Sequence, residues 1–128
     1  MSTEIDQIIV EALEDLKGQE IKSVDVTELS DVMDTLIIAS GTSNRHVKSL
    51  ASNVVQDAKA KGFQPLGVEG VEGGEWVLVD FGDTVVHVML PSTRDFYDLE
   101  RLWSTEPKSR LGDLEAGDQA PADQSPQQ

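Results

Sequence analysis

The chain has no cysteine, few aromatic residues and few positive charges: ten Lys and Arg stand against 24 Asp and Glu. Without cysteine there are no disulfides, no thiolate metal site and no thiol nucleophile, which is compatible with a reducing compartment. No run reaches the roughly 18 apolar residues of a membrane-spanning helix. The first residues, Met1-Ser2-Thr3-Glu4-Ile5-Asp6, are acidic where a signal or transit peptide is basic. These absences make a soluble, cytoplasmic protein the expectation. The scarcity of cations leaves a formal net charge of −14, of which residues 1–103 carry −11. So acidic a body argues against a phosphate-backbone binder, which needs clustered cations. It favours basic partners, such as ribosomal or other nucleic-acid-coating proteins, although solubility alone is the plainer explanation.

What is present is enough for one domain with a real core, since the chain has 128 residues. Residues 3–17 carry Ile5, Ile8, Ile9, Ala12, Leu13 and Leu16 at helical spacing. Thr3 is the expected N-cap, with Asp6 at the third helical position and Gly18 as the stop. A short strand is expected over 21–26 and a second over 34–40, the latter apolar on both faces as a central strand is. Gly41-Thr42-Ser43-Asn44 then turns the chain into a long helix over 43–61, capped by Thr42 or Ser43 and ended by Gly62. A third strand over 63–68 completes a strand–helix–strand unit that reads as a right-handed parallel crossover. Residues 69–75, Glu-Gly-Val-Glu-Gly-Gly-Glu, read as a flexible connection, because three Glu and no Lys would repel phosphate.

The chain is organised around residues 76–90. Two runs of β-formers flank Gly82-Asp83, the signature of a two-residue hairpin with a type II′ turn. That turn sets the register, with Asp80 opposite Val85 and Trp76 opposite Met89. One face then holds Val77, Val79, Phe81, Thr84, Val86 and Val88 and belongs to the core. The other holds Trp76, Leu78, Asp80, Val85, His87 and Met89, a mixture that suits a ligand, a partner or solvent better than a dry interior. A last helix follows over 91–103, with Ser92 as its N-cap, Phe96, Leu99 and Trp103 on one face and Tyr97 and Arg101 on the flank. Packing accounts for Phe96 and Leu99. From Ser104 onward Pro, Gly, Ser, Gln, Asp and Ala dominate, so a domain over 1–104 and a disordered acidic tail over 105–128 are expected. The whole reads as an α+β protein, a mixed sheet of about five strands flanked by helices.

Three constellations bear on chemistry. Asp80-Phe81-Gly82 matches a kinase triplet, but no Gly-rich lid, strand Lys or catalytic loop accompanies it. Gly41–Asn44, between a strand and a helix N-terminus, offers a loop for a nucleotidyl or phosphoryl transferase. Such transfer with two metals needs close carboxylates on one strand face, whereas Asp80 and Asp83 point to opposite faces and Asp25 has no neighbour two residues away. His46 and His87 alone are a weak metal set. The remaining candidate is a binding surface, because Trp, Tyr, Met and Arg are enriched at interface centres. Trp76, Met89, Tyr97, Arg101 and Trp103 cluster in the hairpin and the helix after it; packing inside the domain would account for the same residues.

The blocks Asp34–Lys48, Leu66–Gly70, Trp76–Asp83 with Val86-His87-Val88, and Phe96–Trp103 resemble, in order and spacing, the ribosomal silencing factor family, also called iojap-related. The resemblance covers about residues 3–104. It implies a nucleotidyltransferase-like fold without catalytic carboxylates, hence no enzyme, no cofactor and no metal. It implies a translational repressor that binds the large ribosomal subunit through the basic ribosomal protein L-fourteen. Bound there, it would sterically block joining of the small subunit and damp translation under nutrient limitation. It also implies self-association into a homodimer. The family's characteristic positions fall on Trp76, Asp80, His87, Tyr97 and Trp103, and Met89 stands where many relatives carry Phe. With the hairpin register, the expected partner-binding set is Trp76, Leu78, Asp80, His87, Met89, Tyr97, Glu100, Arg101 and Trp103. No direct sequence-specific nucleic-acid contact and no membrane contact is expected. The rival reading is the transferase at Gly41–Asn44.

Overall fold

The computed structural model describes residues 4–102. The order of elements is α1 (Glu4–Asp15), β1 (Gln19–Asp25), β2 (Thr35–Ser40), α2 (Asn44–Ala60), β3 (Gly67–Glu69), β4 (Trp76–Asp80), β5 (Thr84–Met89), α3 (Pro91–Tyr97) and α4 (Leu99–Leu102). The chain divides into two compact units at Asp98. The sheet and α1–α3 form the first, and α4 belongs to the second. The expected tail boundary at 104 lies outside the described residues.

The five strands form one mixed sheet in the order β1-β2-β5-β4-β3. β2 and β5 run parallel, and every other neighbouring pair is antiparallel. A parallel β2–α2–β3 connection is present but wide, and its third strand is Gly67–Glu69 rather than 63–68. β3 runs in the same direction as β2, yet β5 and β4 lie between them, because the hairpin inserts itself into the gap. β2 is buried at all six positions, as its continuous apolar run requires.

The hairpin register is the expected one: Asp80 faces Val85 and Trp76 faces Met89. Gly82 has φ of 97° while Asp83 stays at negative φ, as a type II′ turn demands. The turn is fastened twice. Phe81 N–H donates to the Thr84 carbonyl at 2.9 Å, and Gly82 N–H donates to Asp80 Oδ1 at 2.8 Å. Val77, Val79, Val86 and Val88 therefore point to one face, where they pack with Ile37 and Ala39 of β2. Ile9, Ala12 and Leu13 of α1 and Val47, Leu50, Ala51 and Val54 of α2 close that core.

Several local expectations change. α1 ends at Asp15, and the left-handed position after it is Lys17 at φ of 62°, not Gly18. Gly18 N–H reaches back to the Leu13 carbonyl at 2.8 Å and Lys17 N–H to Glu14 at 2.9 Å, a Schellman closure. α3 begins on Pro91, with Leu90 in the cap position and no capping side chain, so Ser92 does not cap it. The last helix is also not continuous: Asp98, at φ of 51°, ends α3 before α4 begins. The 69–75 loop is pinned rather than loose, since Asn44 Nδ2 donates to the Gly73 carbonyl at 2.7 Å and Gly74 is buried.

Asp6 was expected to serve its own helix end. Instead its carboxylate, only 2% exposed, crosses to the sheet. Thr84 Oγ1 donates to it at 2.6 Å and Thr35 Oγ1 at 3.2 Å, and those two residues are register partners on β5 and β2. One side chain thus ties α1 to the parallel pair at the centre of the sheet. Removing it strands two buried hydroxyls. We predict that Asp6→Ala loses about 2–4 kcal/mol of stability in chemical denaturation, the sum of a charge-assisted bond lost and donors left unpaired. A denaturation midpoint equal to the parent's would show that the tie contributes nothing.

Candidate functional site

The second face of the sheet carries Lys22 and Val24 from β1, Leu36, Ile38 and Ser40 from β2, Val85, His87 and Met89 from β5, and Trp76, Leu78 and Asp80 from β4. α3 crosses one end of it. Arg94, itself buried, donates from Nη1 to Ser40 Oγ at 2.9 Å, and the Tyr97 ring lies 4.7 Å from the Trp76 ring. Ser40 and Trp76 are the two lateral neighbours of Met89 in the sheet. A helix fastened to both neighbours closes over the residue between them, and Met89 is 0% exposed. Met89 was expected on the docking surface; it is packing beneath α3, and a partner cannot touch it as the chain is folded.

His87 is also largely covered, at 8% exposure. Trp76 Nε1–H donates to His87 Nδ1 at 2.9 Å. An indole nitrogen only donates, so Nδ1 must carry the lone pair and the proton sits on Nε2. Burial pushes the imidazole down from its ordinary value of 6.5 to about 4. His87 is therefore neutral at physiological pH, and its polarity is met by the neighbouring strand. Its work is to hold the indole in place.

Trp76 is the hub. It is half-buried, bonded to His87, and stacked at a tilt against Tyr97. Phe96 then meets Tyr97 edge to face at 5.0 Å. Phe96 is 79% exposed and Tyr97 52% exposed. Packing was expected to account for Phe96; it does not, because the ring lies on the outward face of α3. The result is a graded aromatic surface, anchored at Trp76 and open at Phe96. The sequence signal for Phe96 was its place beside Tyr97 in a chain with few aromatics. Arg94 was missed as well, since a lone Arg on a short helix gives no sign that it will be buried.

The other expected residues divide. Leu78 and Asp80 are half-buried on the same face as Trp76. Asp80 uses Oδ1 on the turn, and Oδ2 makes no bond among the described residues. Arg101 is exposed on α4, and Glu100 shares that helix, in the second compact unit. Trp103 lies outside the described residues.

The Gly41–Asn44 loop is occupied by its own chain. Thr42 N–H donates to His46 Nδ1 at 2.9 Å, and His46 N–H donates to Ser43 Oγ at 3.1 Å, so Ser43 is the cap of α2. Gly41 is buried against Val47, where a Cβ would come within 2.9 Å of backbone and side chain. Two amides a phosphate would need are thus already bonded. His46 Nε2 donates to the Leu16 carbonyl at 2.7 Å, on the helix side of the sheet, whereas His87 is on the other. Asp25 Oδ1 accepts from Thr27 N–H and Oγ1, which holds its carboxyl below the ordinary range.

An α+β domain with a mixed five-stranded sheet and a partly exposed aromatic cluster on one face is the class these features define. A family profile described as "Ribosomal silencing factor during starvation" matches residues 1–128. The ribosomal silencing factor RsfS of Chromobacterium violaceum is 50% identical over 106 residues, covering 83% of this chain and 87% of that protein. RsfS of Bacillus subtilis is 36% identical over 111 residues, covering 87% and 92%. A mouse protein named "Mitochondrial assembly of ribosomal large subunit protein 1" is 33% identical over 100 residues, covering 76% of this chain and 44% of its own. A crystal structure of a Chromobacterium violaceum protein superposes with a TM-score of 0.77 at 52% identity, over 78% of this chain and 83% of that one. One from Bacillus halodurans gives 0.73 at 33% identity, over 80% and 95%. The chain belongs to the ribosomal silencing factor family.

Because His87 is neutral in the fold and ionisable once unfolded, the unfolded chain binds the extra proton between about pH 4 and 6.5. Stability supplied by neutral His87 is complete above about pH 6.5 and falls as pH drops toward 4, by about 3 kcal/mol at most. We predict that His87→Gln flattens the pH dependence of the denaturation midpoint between pH 5 and 6.5. An unchanged slope in that window would assign the dependence to other groups.

Proposed function

We propose that this protein is a non-catalytic factor that binds the large ribosomal subunit and sterically blocks joining of the small subunit, damping translation under nutrient limitation. The contact is ribosomal protein L-fourteen. The observation that carries this reading is the aromatic cluster: Trp76 held by His87, Tyr97 stacked on it, and Phe96 standing out in solvent. Large exposed aromatics on a fixed base are what interface hot spots are made of. The net charge of −14 supports a basic partner, and the mouse relative carries the ribosomal large subunit in its name.

In this reading Trp76, Tyr97 and Phe96 are buried against the partner, with Leu78 beside them. Asp80 Oδ2 meets a cation, and Glu100, Arg101 and Trp103 extend the contact. His87 and Met89 act from beneath, as support. The same surface serves a homodimer in the free protein. The sheet is nucleotidyltransferase-like in descent, with its loop at Gly41–Asn44 turned to structural use, and the protein acts in the cytoplasm.

Tyr97→Ala tests the surface with little risk to the fold, since the ring is half in solvent; Trp76→Ala tests its base. Each is expected to weaken co-sedimentation with purified large subunits at least tenfold, about 1.4 kcal/mol or more. Unchanged binding by folded variants of both residues would remove this face from the contact. Calorimetric titration with Mg²⁺ and nucleoside triphosphate is expected to be flat; heat that Asn44→Ala abolishes would restore the transferase reading.

A further inference from the structure

We propose that the groove between the end of α1 and the outer face of α2 is a binding site for a small polyanion bearing two or more phosphoryl groups. The groove is an open depression of about 520 Å³, within the usual range for small ligands. Leu16 forms its α1 side, and α2 supplies Arg45, Lys48, Ser49 and Ser52 along one stripe. Residues at this spacing share a helix face, so both cations and both hydroxyls converge on one side.

The local charge inverts that of the whole chain. Residues 35–56 contain no Asp or Glu, in a sequence with 24 of them. Neither Arg45 nor Lys48 has an ion-pair partner among the described residues. The Lys48 stem is held: its Cε lies close to Gly74, only 2.9 Å from where a Cβ there would sit. The walls are held as well. His46 Nε2 donates to the Leu16 carbonyl at 2.7 Å, and Asn53 Nδ2 to the Ala12 carbonyl at 2.8 Å, which fixes α1 against α2. A planar guanidinium, an ammonium one turn away and two hydroxyls are the donor set for phosphoryl oxygens.

Two features set the size and kind of ligand. Among the described residues no aromatic lines the groove, so recognition rests on the phosphoryl groups. The stripe from Arg45 to Gln56 spans about 16 Å at the helical rise. Beyond it α2 continues into a second groove lined by Glu11, Asp15, Asp57 and Lys61, whose net negative charge repels an anion. A compact polyphosphate fits between these limits; an extended nucleic-acid strand would run onto the carboxylates. The groove is on the helix side of the sheet and Trp76 on the other, so this site goes beyond the proposed ribosome contact.

The probe is inorganic tripolyphosphate, titrated into full-length ¹⁵N-labelled protein at 50 mM salt without ribosomes, so its outcome is independent of subunit binding. Saturable amide shifts confined to residues 45–56 and the end of α1 are expected. The double variant Arg45→Glu, Lys48→Glu, at two exposed positions, should keep its spectrum elsewhere and raise the dissociation constant at least tenfold. Absent shifts, shifts matched by sodium chloride at equal ionic strength, or equal affinity in the variant would overturn the proposal. So would saturable shifts at these residues with a twelve-nucleotide RNA and none with tripolyphosphate.

Discussion

Everything on the second face of the sheet depends on the register between β4 and β5. Side chains alternate along a strand, so a slip of β4 by one residue against β5 would exchange the two faces of β4 completely. Val77 and Val79 would turn away from the helices, and Trp76 would be driven into the core. The structure prevents this at the turn, where Gly82 takes the positive φ and Asp80 accepts its amide. It prevents it again at β2, whose parallel pairing fixes β5 from the other side. Asp6 then locks the two strands to α1 through Thr35 and Thr84. Three independent constraints therefore act on one strand, and the placement of the aromatic cluster is their common product.

The cluster also shows how a polar residue can sit on a mostly covered face. An imidazole without a partner there would cost free energy, and a charged one more. Trp76 supplies the donor, burial keeps the ring neutral, and the pair becomes a rigid unit. Tyr97 can then stack on an indole that is already fixed. Pre-ordering of this kind lowers the entropy lost when a partner covers the exposed rings. Buried His87 and Met89 thus matter to the surface without being part of it.

The sequence was informative wherever a local rule decided the outcome. Gly82-Asp83 between apolar runs was sufficient for the hairpin and its register, and the cap of α2 was narrowed to Thr42 or Ser43, of which Ser43 serves. It was silent where a contact joins distant segments. Asp6 looked like a helix-end residue because its partners, Thr35 and Thr84, are 29 and 78 positions away. Met89 looked exposed because the alternation gives a face but not what lies over it, and α3 covers it by way of Arg94 and Ser40. Phe96 failed for the opposite reason: its shared face with Leu99 presumed one continuous helix, and the left-handed Asp98 ends α3 between them. The β2–α2–β3 crossover was legible as a direction but not as a distance, since nothing in those segments announces that a hairpin will be inserted between the two strands.

Net charge was the least local of the readings, and the structure divides it. A value of −14 describes the field at long range, which favours a basic partner and disfavours a polyanionic one. At close range the relevant distance is the screening length, about 8–10 Å in physiological salt. Among the described residues the lining of the groove supplies Arg45 and Lys48 and no carboxylate. The same sequence can therefore repel a long nucleic acid and still present a cationic groove to a compact anion. The two proposed surfaces lie on opposite sides of the sheet, one suited to aromatic burial and the other to charge, so occupation of either would leave the other open.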